Sequence, residues 1–137
     1  MNYETLIIDD DDIALFLHET ILQDCGFANE LKTFNKAQHA LAYIESYQNS
    51  AVKYLIFLDI NMPVMNGWRF LEALENYPNS ADIKVIMVTS SIEKSDKERA
   101  MSVKFVNAYL EKPLKQEQIR KLQNNINFKD FFISNGR

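Results

Sequence analysis

The chain has 137 residues, of which 47% are hydrophobic and 25% charged, and its formal net charge is −4. This composition is typical of one globular domain with a sizeable core, and it shows neither the basic stripe of a nucleic-acid-binding surface nor the long apolar run of a membrane span. A single cysteine, Cys25, excludes an internal disulfide, and the N-terminus lacks a signal-peptide pattern, so we expect a cytoplasmic protein. We also expect a monomer with no nucleic-acid or membrane partner.

The first half of the chain alternates between short apolar runs and longer segments with helical spacing. TLIID at 5–9 is the first predicted strand, and the helix after it has apolar residues at helical intervals: Ile13, Phe16, Leu17, Ile21 and Leu22. Gly26 is expected to end that helix. A weaker strand, ELKTF at 30–34, precedes a helix over 36–47 that Asn35 can cap.

The second half continues the alternation. Its elements are strands at 54–59, 84–90 and 107–111 and helices over 67–77, 96–103 and 115–126. The first two of these strands are nearly continuous apolar runs, which is typical of strands buried on both faces of a parallel sheet. Ser95 with Glu98 predicts a capping box for the fourth helix. Strict alternation of strands and helices predicts an α/β fold with a doubly wound parallel sheet.

Polar side chains stand where the predicted strands end. Asp9 and Asp10 follow the first strand, Asp59 the third, Thr89 the fourth and Lys112 the fifth. The carboxyl ends of parallel strands meet at one edge of the sheet, where such folds bind ligands. Clustered carboxylates repel one another, and a hard divalent cation such as Mg²⁺ removes that repulsion. The sequence therefore predicts a Mg²⁺ site at this edge.

Each of these polar residues also has an ordinary structural explanation. Asp11 and Asp12 favour the start of a helix through its dipole. The strand-end residues, taken singly, are common in turns and on surfaces. His18 and His39 lie in predicted helices away from the edge, and we expect both to be structural. What favours a functional site is that acids, a hydroxyl and an amine occupy the strand ends together.

Four motifs, IIDDDD, LDINMPVMNGW, VTSS and YLEKPL, resemble in order and spacing the signatures of the receiver domain of two-component response regulators. The resemblance covers residues 3–126. It implies a flavodoxin-like fold, with a five-stranded parallel sheet in the order 2-1-3-4-5 and five helices. It also implies a chemotaxis-type single-domain receiver, in which residues 1–127 form the phosphoacceptor domain, residues 128–137 form a C-terminal tail, and no output domain follows.

The resemblance also implies roles for the acidic residues. Asp59 would be the phosphoacceptor. Asp10 and Asp59 would bind Mg²⁺ through their side chains, Asn61 would supply a backbone carbonyl, and Asp9 would act mainly through water. Attack by a carboxylate on a phosphoryl group depends mostly on charge and alignment, which a bound cation would provide.

The remaining roles implied by the resemblance concern the other strand ends. Thr89 would hydrogen-bond the phosphoryl group, and Lys112 would neutralise one of its oxygens. Thr89 and Tyr109 would form a switch in which the Tyr109 ring rotates inward after phosphorylation, so that the face built by the fourth helix, fifth strand and fifth helix changes. The bond between Lys112 and Pro113 is expected to be cis.

The implied partners are proteins. The phosphoryl donor would be a sensor histidine kinase or a histidine phosphotransfer protein, and a downstream target protein would read the phosphorylated state. The chain would not be an enzyme beyond self-phosphorylation and self-dephosphorylation.

Two other functions remain open from the residues alone. A haloacid dehalogenase-type phosphatase would use Asp9 as the nucleophile of a D-x-D motif with Asp11, but it needs a later acidic pair, and only Glu117 and Asp130 follow Lys112. A phosphorylation-independent scaffold is the second alternative, and the complete set of site residues argues against it.

The tail INFKDFFISNGR is too apolar for a disordered end. One interpretation is that its aromatic rings extend the last helix and pack on the domain. The other is that it docks a partner.

Overall fold

The computed structural model describes residues 2–26, 31–46, 52–77, 82–91 and 93–131. Its centre is a parallel sheet of five strands: β1 (Asn2–Ile8), β2 (Leu31–Phe34), β3 (Val52–Leu58), β4 (Ile83–Thr89) and β5 (Val106–Glu111). The strands lie in the order β2-β1-β3-β4-β5, and each neighbouring pair is parallel. The predicted flavodoxin-like fold is therefore confirmed.

Five helices connect or follow the strands: α1 (Asp12–Asp24), α2 (Ala37–Ser46), α3 (Gly67–Glu75), α4 (Lys94–Met101) and α5 (Gln116–Gln123). The end of α1 is as predicted, because Gly26 follows the C-cap Cys25 with a positive φ of 100°, which glycine adopts without strain. The start of α1 is capped by Asp11, whose side chain accepts from the backbone N–H groups of Ile13 and Ala14.

Two predicted helix caps are wrong. The Asn35 side chain donates instead to Asp12 Oδ1 at 3.2 Å, and α2 begins after Lys36, whose carbonyl accepts from the Ala40 N–H. Ser95 lies inside α4, which begins one residue earlier. The first error comes from a tertiary contact, since the Asn35 side chain has a partner in another segment. The second is an error in the helix boundary, because α4 begins two residues before the predicted start at 96.

The apolar strand runs are explained by burial on both faces of the sheet. Alternate residues of β3 point to opposite sides: Tyr54, Ile56 and Leu58 join a core with α2, α3 and α4, while Leu55 and Phe57 join a core with α1 and α5. Because both faces are covered, both sets of residues must be apolar. The described residues contain no helix long and apolar enough to cross a membrane.

The segment after α5 folds back on the domain. The helix is not extended as one interpretation required, because it ends at Gln123. A 3₁₀ helix (Lys129–Phe131) follows, and Phe128 and Phe131 are buried in the core beside α1 and α5, whereas Ile126 is 82% exposed. Packing of the tail is thus confirmed for these two rings. Phe132 and Ile133 lie outside the described residues, and the domain boundary at residue 127 stays a prediction.

Candidate functional site

Three carboxylates meet at the carboxyl end of the sheet. Asp9 follows β1 and Asp59 follows β3, its neighbour in the sheet, and the Asp59 N–H donates to the Ile8 carbonyl at 3.1 Å. One carboxylate oxygen from each of Asp9, Asp10 and Asp59 lies within 4.8 Å of the others. Asp9 and Asp59 are buried, with 2% and 5% exposure, while Asp10 is exposed. The cluster is therefore open to solvent on one side.

Lys112 is the counter-charge of this cluster. Its Nζ lies 2.5 Å from Asp9 Oδ2 and 3.4 Å from Asp59 Oδ2. Its backbone N–H donates to the Thr89 carbonyl at 2.9 Å, which ties it to the end of β4, and its peptide bond to Pro113 is cis, as expected. One ammonium group thus faces two buried carboxylates.

The balance of charge appears in the pKa values. Burial, and after it the negative charge of Asp9, raise the pKa of Asp59 from its usual 3.8 to about 6, because Lys112 only partly opposes them. Burial alone would lower the pKa of Lys112, but its hydrogen bond to Asp9 and the charges of Asp59 and Asp9 outweigh burial and raise it. The site holds more negative charge than Lys112 neutralises.

These residues fit a hard divalent cation. The donors are carboxylate oxygens, which Mg²⁺ prefers, and the raised pKa of Asp59 shows that another positive charge here would be stabilising. Asn61, the expected carbonyl donor, lies exposed in the loop after β3.

Asp11 and Asp12 serve the start of α1. The carboxylate of Asp11 caps the helix, and Asp12 lies in its first turn and accepts from Asn35. The structural explanation given for this pair is therefore confirmed. Asp9, in contrast, belongs to the charged cluster. Its Oδ1 accepts from the Asp11 N–H at 3.0 Å, and its Oδ2 faces Lys112.

The loop between β3 and α3 holds the backbone of Asp59 against the helix. The Gly67 N–H donates to the Ile60 carbonyl at 2.8 Å, and a Cβ on Gly67 would lie 2.5 Å from the backbone oxygen of Asp59. Only glycine permits this approach. In the same loop the Met65 N–H donates to the Pro63 carbonyl across Val64, whose φ is 69°, so Val64 is the strained centre of a γ-turn.

Thr89 and Tyr109, the expected switch pair, are joined through a residue that sequence reasoning missed. Thr89 is fully buried, and its Oγ1 accepts from the Ser91 N–H at 3.2 Å. The Tyr109 hydroxyl donates to the Ser91 carbonyl at 3.2 Å, and Ser91 Oγ donates to Asp96 at 2.7 Å. The position of Ser91, two residues after a threonine at a strand end, was the available signal of this contact, because short polar residues near a turn often bond the local backbone.

Two predictions about α1 need correction. His18 is not remote from the site: it is buried, and although burial lowers its pKa, the charges of Asp9 and Lys112 also act on it. The buried residues of α1 are Leu15, His18 and Leu22, so three members of the expected apolar face are exposed instead: Ile13 (72%), Phe16 (66%) and Leu17 (52%). His39 is exposed.

Known proteins share both sequence and fold with this chain. The profile of the response regulator receiver domain matches residues 5–124. Two-component response regulator 24 of Arabidopsis thaliana is 25% identical over 123 residues, covering 90% of this chain and 83% of that protein.

Solved structures of other proteins have the same fold as this chain. A two-component response regulator from Cytophaga hutchinsonii superposes with a TM-score of 0.80 at 27% identity, covering 90% of this chain and 95% of that one. A response regulator receiver protein from Dyadobacter fermentans gives 0.78 at 30% identity, with 96% and 99% covered. The matched segment contains every site residue described above. The chain therefore belongs to the response regulator receiver domain family of two-component signalling.

Proposed function

We propose that this chain is a response regulator that accepts a phosphoryl group on Asp59 from a sensor histidine kinase or a histidine phosphotransfer protein and passes the signal on through protein contacts. The observation that carries the proposal is the pairing of a buried Asp59 with Lys112 beside two further carboxylates. Receiver domains generally interact with histidine kinases or phosphotransfer proteins, and this chain supplies the groups that such a transfer needs.

The proposed transfer is a nucleophilic attack by Asp59. An Asp59 carboxylate oxygen attacks the phosphorus, a P–O bond forms, and the P–N bond to the donor imidazole breaks, so that the histidine leaves with the bonding electron pair. Lys112 Nζ lies 3.4 Å from Asp59 Oδ2 and offsets the charge of the transferred oxygens. Asp9 holds the ammonium in place from the other side.

Mg²⁺ fits the same edge. Receiver domains generally bind it at an acidic pocket, and Asp10 and Asp59 would hold it by their side chains, Asn61 by its backbone carbonyl and Asp9 through water. When bound, it neutralises charge on the carboxylates and on the phosphoryl oxygens.

The phosphorylated state is read through Thr89 and Tyr109. Thr89 Oγ1 already accepts from the Ser91 N–H, so its own hydrogen can be donated to a phosphoryl oxygen. Tyr109 is half-buried and bonded to the β4–α4 loop, so a change at Thr89 alters the face formed by α4, β5 and α5. We assign this face to the downstream target.

The exposed apolar residues of α1 suit the phosphoryl donor. Ile13, Phe16 and Leu17 lie in the helix that begins three residues after Asp9, beside the edge that a donor histidine must reach. Exposed apolar side chains grouped in this way mark protein-interaction sites. We assign them to contacts with the phosphoryl donor.

Labelling with acetyl phosphate and Mg²⁺ tests the phosphoacceptor. We expect intact mass to rise by one phosphoryl group in the wild type and in Asp12→Asn, a matched acid outside the site, but not in Asp59→Asn, and we expect EDTA to prevent labelling. Label retained in Asp59→Asn contradicts the proposal.

The same labelling experiment addresses the phosphatase alternative, which predicts label on Asp9. The contacts argue against it, since the Asp11 carboxylate caps α1, Glu117 is exposed on α5, and Asp130 accepts from Tyr3 at the opposite end of the sheet.

The donor surface is tested by the ratio of labelling from a phosphorylated donor to labelling from acetyl phosphate. We expect Phe16→Ala to lower this ratio by about tenfold, because a buried aromatic anchor contributes at least that much to an interface. Met101→Ala, an exposed apolar residue of α4, is the matched control. An unchanged ratio in Phe16→Ala assigns the donor to another surface.

A further inference from the structure

Three of the hydrogen bonds of Ser91 reach three different elements. Its N–H donates to Thr89 Oγ1 at the end of β4, its carbonyl accepts from the Tyr109 hydroxyl on β5, and its own hydroxyl donates to Asp96 in α4. The first two bonds use the backbone and would form with any residue at this position. The third needs a hydroxyl side chain. Ser91 is half-buried, which limits competition from water.

The third bond holds the first turn of α4. The helix begins after Glu93, whose side chain does not cap it within the part of the chain that the structure describes. The Glu93 N–H donates to Ser91 Oγ at 3.4 Å, and Asp96, in the first turn, accepts from the same hydroxyl at 2.7 Å. The Ser91 side chain therefore tethers the first turn of α4 through the Asp96 carboxylate.

The rest of α4 is loosely attached. Within its eight residues, all of which the structure describes, Ala100 is the buried one. Toward its C-terminal end, the Arg99 guanidinium lies 4.1 Å from the Trp68 ring centroid. A cavity of about 320 Å³ lies beside the first turn, between α4 and β5, and Ser91, Lys94, Lys97 and Tyr109 are among its lining residues. The first turn thus has room to move if the bond to Ser91 changes.

We propose that Ser91 is a positioning residue that couples Thr89 to the first turn of α4 through its hydroxyl bond to Asp96. The proposal rests on the proposed function and adds a second branch to its switch. When Thr89 donates to a phosphoryl oxygen, its Oγ1 moves, the Ser91 N–H follows it, and the Ser91 hydroxyl transmits the movement to Asp96. The Tyr109 branch runs through the Ser91 carbonyl and does not need the hydroxyl.

The two branches are separated by Ser91→Ala, which removes the hydroxyl and keeps both backbone bonds. The measurement is NMR of the full chain with and without Mg²⁺ and beryllofluoride, a phosphoryl mimic. In the wild type we expect the mimic to shift the Tyr109 ring signals and the amide signals of Lys94 and Lys97. In Ser91→Ala we expect the Tyr109 shift to remain and the two α4 shifts to be lost.

Matched variants test whether the hydroxyl is responsible. Ser91→Thr keeps a hydroxyl and should restore the α4 shifts, while Ser90→Ala, at the exposed neighbouring serine, should behave as wild type. Asp96→Ala removes the other partner and should reproduce Ser91→Ala. The double variant should be no worse than either single one, because both lose the same bond. Asp96→Ala also provides the test if Ser91→Ala does not fold.

Three results would contradict the coupling or the function on which it rests. Wild-type α4 shifts in Ser91→Ala or in Asp96→Ala overturn the coupling, and so does joint loss of the α4 and Tyr109 shifts, since that result shows a general loss of loop structure. A wild-type chain that does not respond to the mimic contradicts the proposed function itself, which distinguishes that failure from failure of the Ser91 branch.

Discussion

The two ends of the sheet are built in opposite ways. At the carboxyl end, Asp9 and Asp59 are buried with Lys112 between them, and the pKa of Asp59 is raised to about 6. At the amino end, the Tyr3 and Phe131 rings meet edge to face with centroids 5.2 Å apart, and Phe128 is 1% exposed. The buried charges at the carboxyl end lower the stability of the fold, and the buried aromatic rings at the amino end raise it.

This difference shows how a stable scaffold carries an unstable site. Like charges brought together at one edge reduce the free energy of unfolding unless a counter-charge offsets them. Aromatic rings at the other edge gain free energy from burial whatever the state of the site. Function and stability should therefore be separable by mutation at the two ends.

The largest effect is expected at the amino end. Phe128→Ala empties a fully buried site and should lower the free energy of unfolding by about 3–5 kcal/mol. Chemical denaturation measures this change. Ile126→Ala, at a residue that is 82% exposed, should change it by less than about 0.5 kcal/mol. Equal effects of the two substitutions would show that the tail contributes no core.

At the carboxyl end, by contrast, a substitution should raise the free energy of unfolding. The folded-state pKa of Asp59, about 6, lies above its usual 3.8, so the folded protein holds this proton more tightly than the unfolded chain does. The stability that protonation provides is present below pH 4 and is lost as pH rises through 6. At pH 8 in EDTA, Asp59→Asn should therefore raise the free energy of unfolding by up to about 3 kcal/mol.

Denaturation of both proteins at pH 5 and pH 8 checks this prediction. The gap between Asp59→Asn and the wild type should be larger at pH 8 and should narrow when Mg²⁺ is added. Asp12→Asn, at an exposed acid in the first turn of α1, should show no such stabilisation. A gap that does not depend on pH would mean that the charge of Asp59 is not what destabilises this end.

The backbone of the site should be sensitive to a single methyl group. Gly67→Ala places a Cβ 2.5 Å from the Asp59 carbonyl oxygen, so the loop or α3 must shift. We expect a loss of about 1–3 kcal/mol in stability and slower labelling by acetyl phosphate. Arg69→Ala, at an exposed residue of the same helix, is the control. Normal labelling in Gly67→Ala would show that this approach does not position Asp59.

The smallest effect is expected at Val64. Its φ of 69° is unfavourable for a β-branched residue, so Val64→Gly should relieve strain, while the greater freedom of glycine in the unfolded chain offsets part of the gain. We expect a net stabilisation below about 1 kcal/mol by denaturation. Val64→Ala keeps a Cβ at the same φ and should gain less. A destabilised Val64→Gly would mean that the turn is held by the valine side chain, which is 81% exposed.

Much of the fold could be predicted from local sequence. The apolar runs around Ile56 and Ile86 had to be strands buried on both faces, and Gly26 had to end a helix, because each choice depends on nearby residues alone. The cap proposed for Asn35 failed for the opposite reason, because the Asn35 side chain donates to Asp12, which lies in another segment of the chain.

The sequence predicted which residues form the site but not which of them contact one another. Asp9, Asp59, Thr89 and Lys112 stand at strand ends, and a parallel sheet brings strand ends to one edge. Spacing could not show that Lys112 lies nearer to Asp9 than to Asp59, because that depends on how β5 and α5 set its side chain. Nor could spacing show that α1 buries His18 and exposes Phe16, since the helix shows apolar residues on more than one side.

The sequence by itself determined the order of elements, the family and the residues at the charged edge, because these depend on periodicity and on position relative to strand ends. Only the tertiary structure decided the pKa of Asp59, the close approach of Gly67 and the bond from the Tyr109 hydroxyl to Ser91. These features arise between residues that are not neighbours in the chain, or from burial that the whole fold creates. Electrostatic and packing energies depend on distances that only the folded chain fixes.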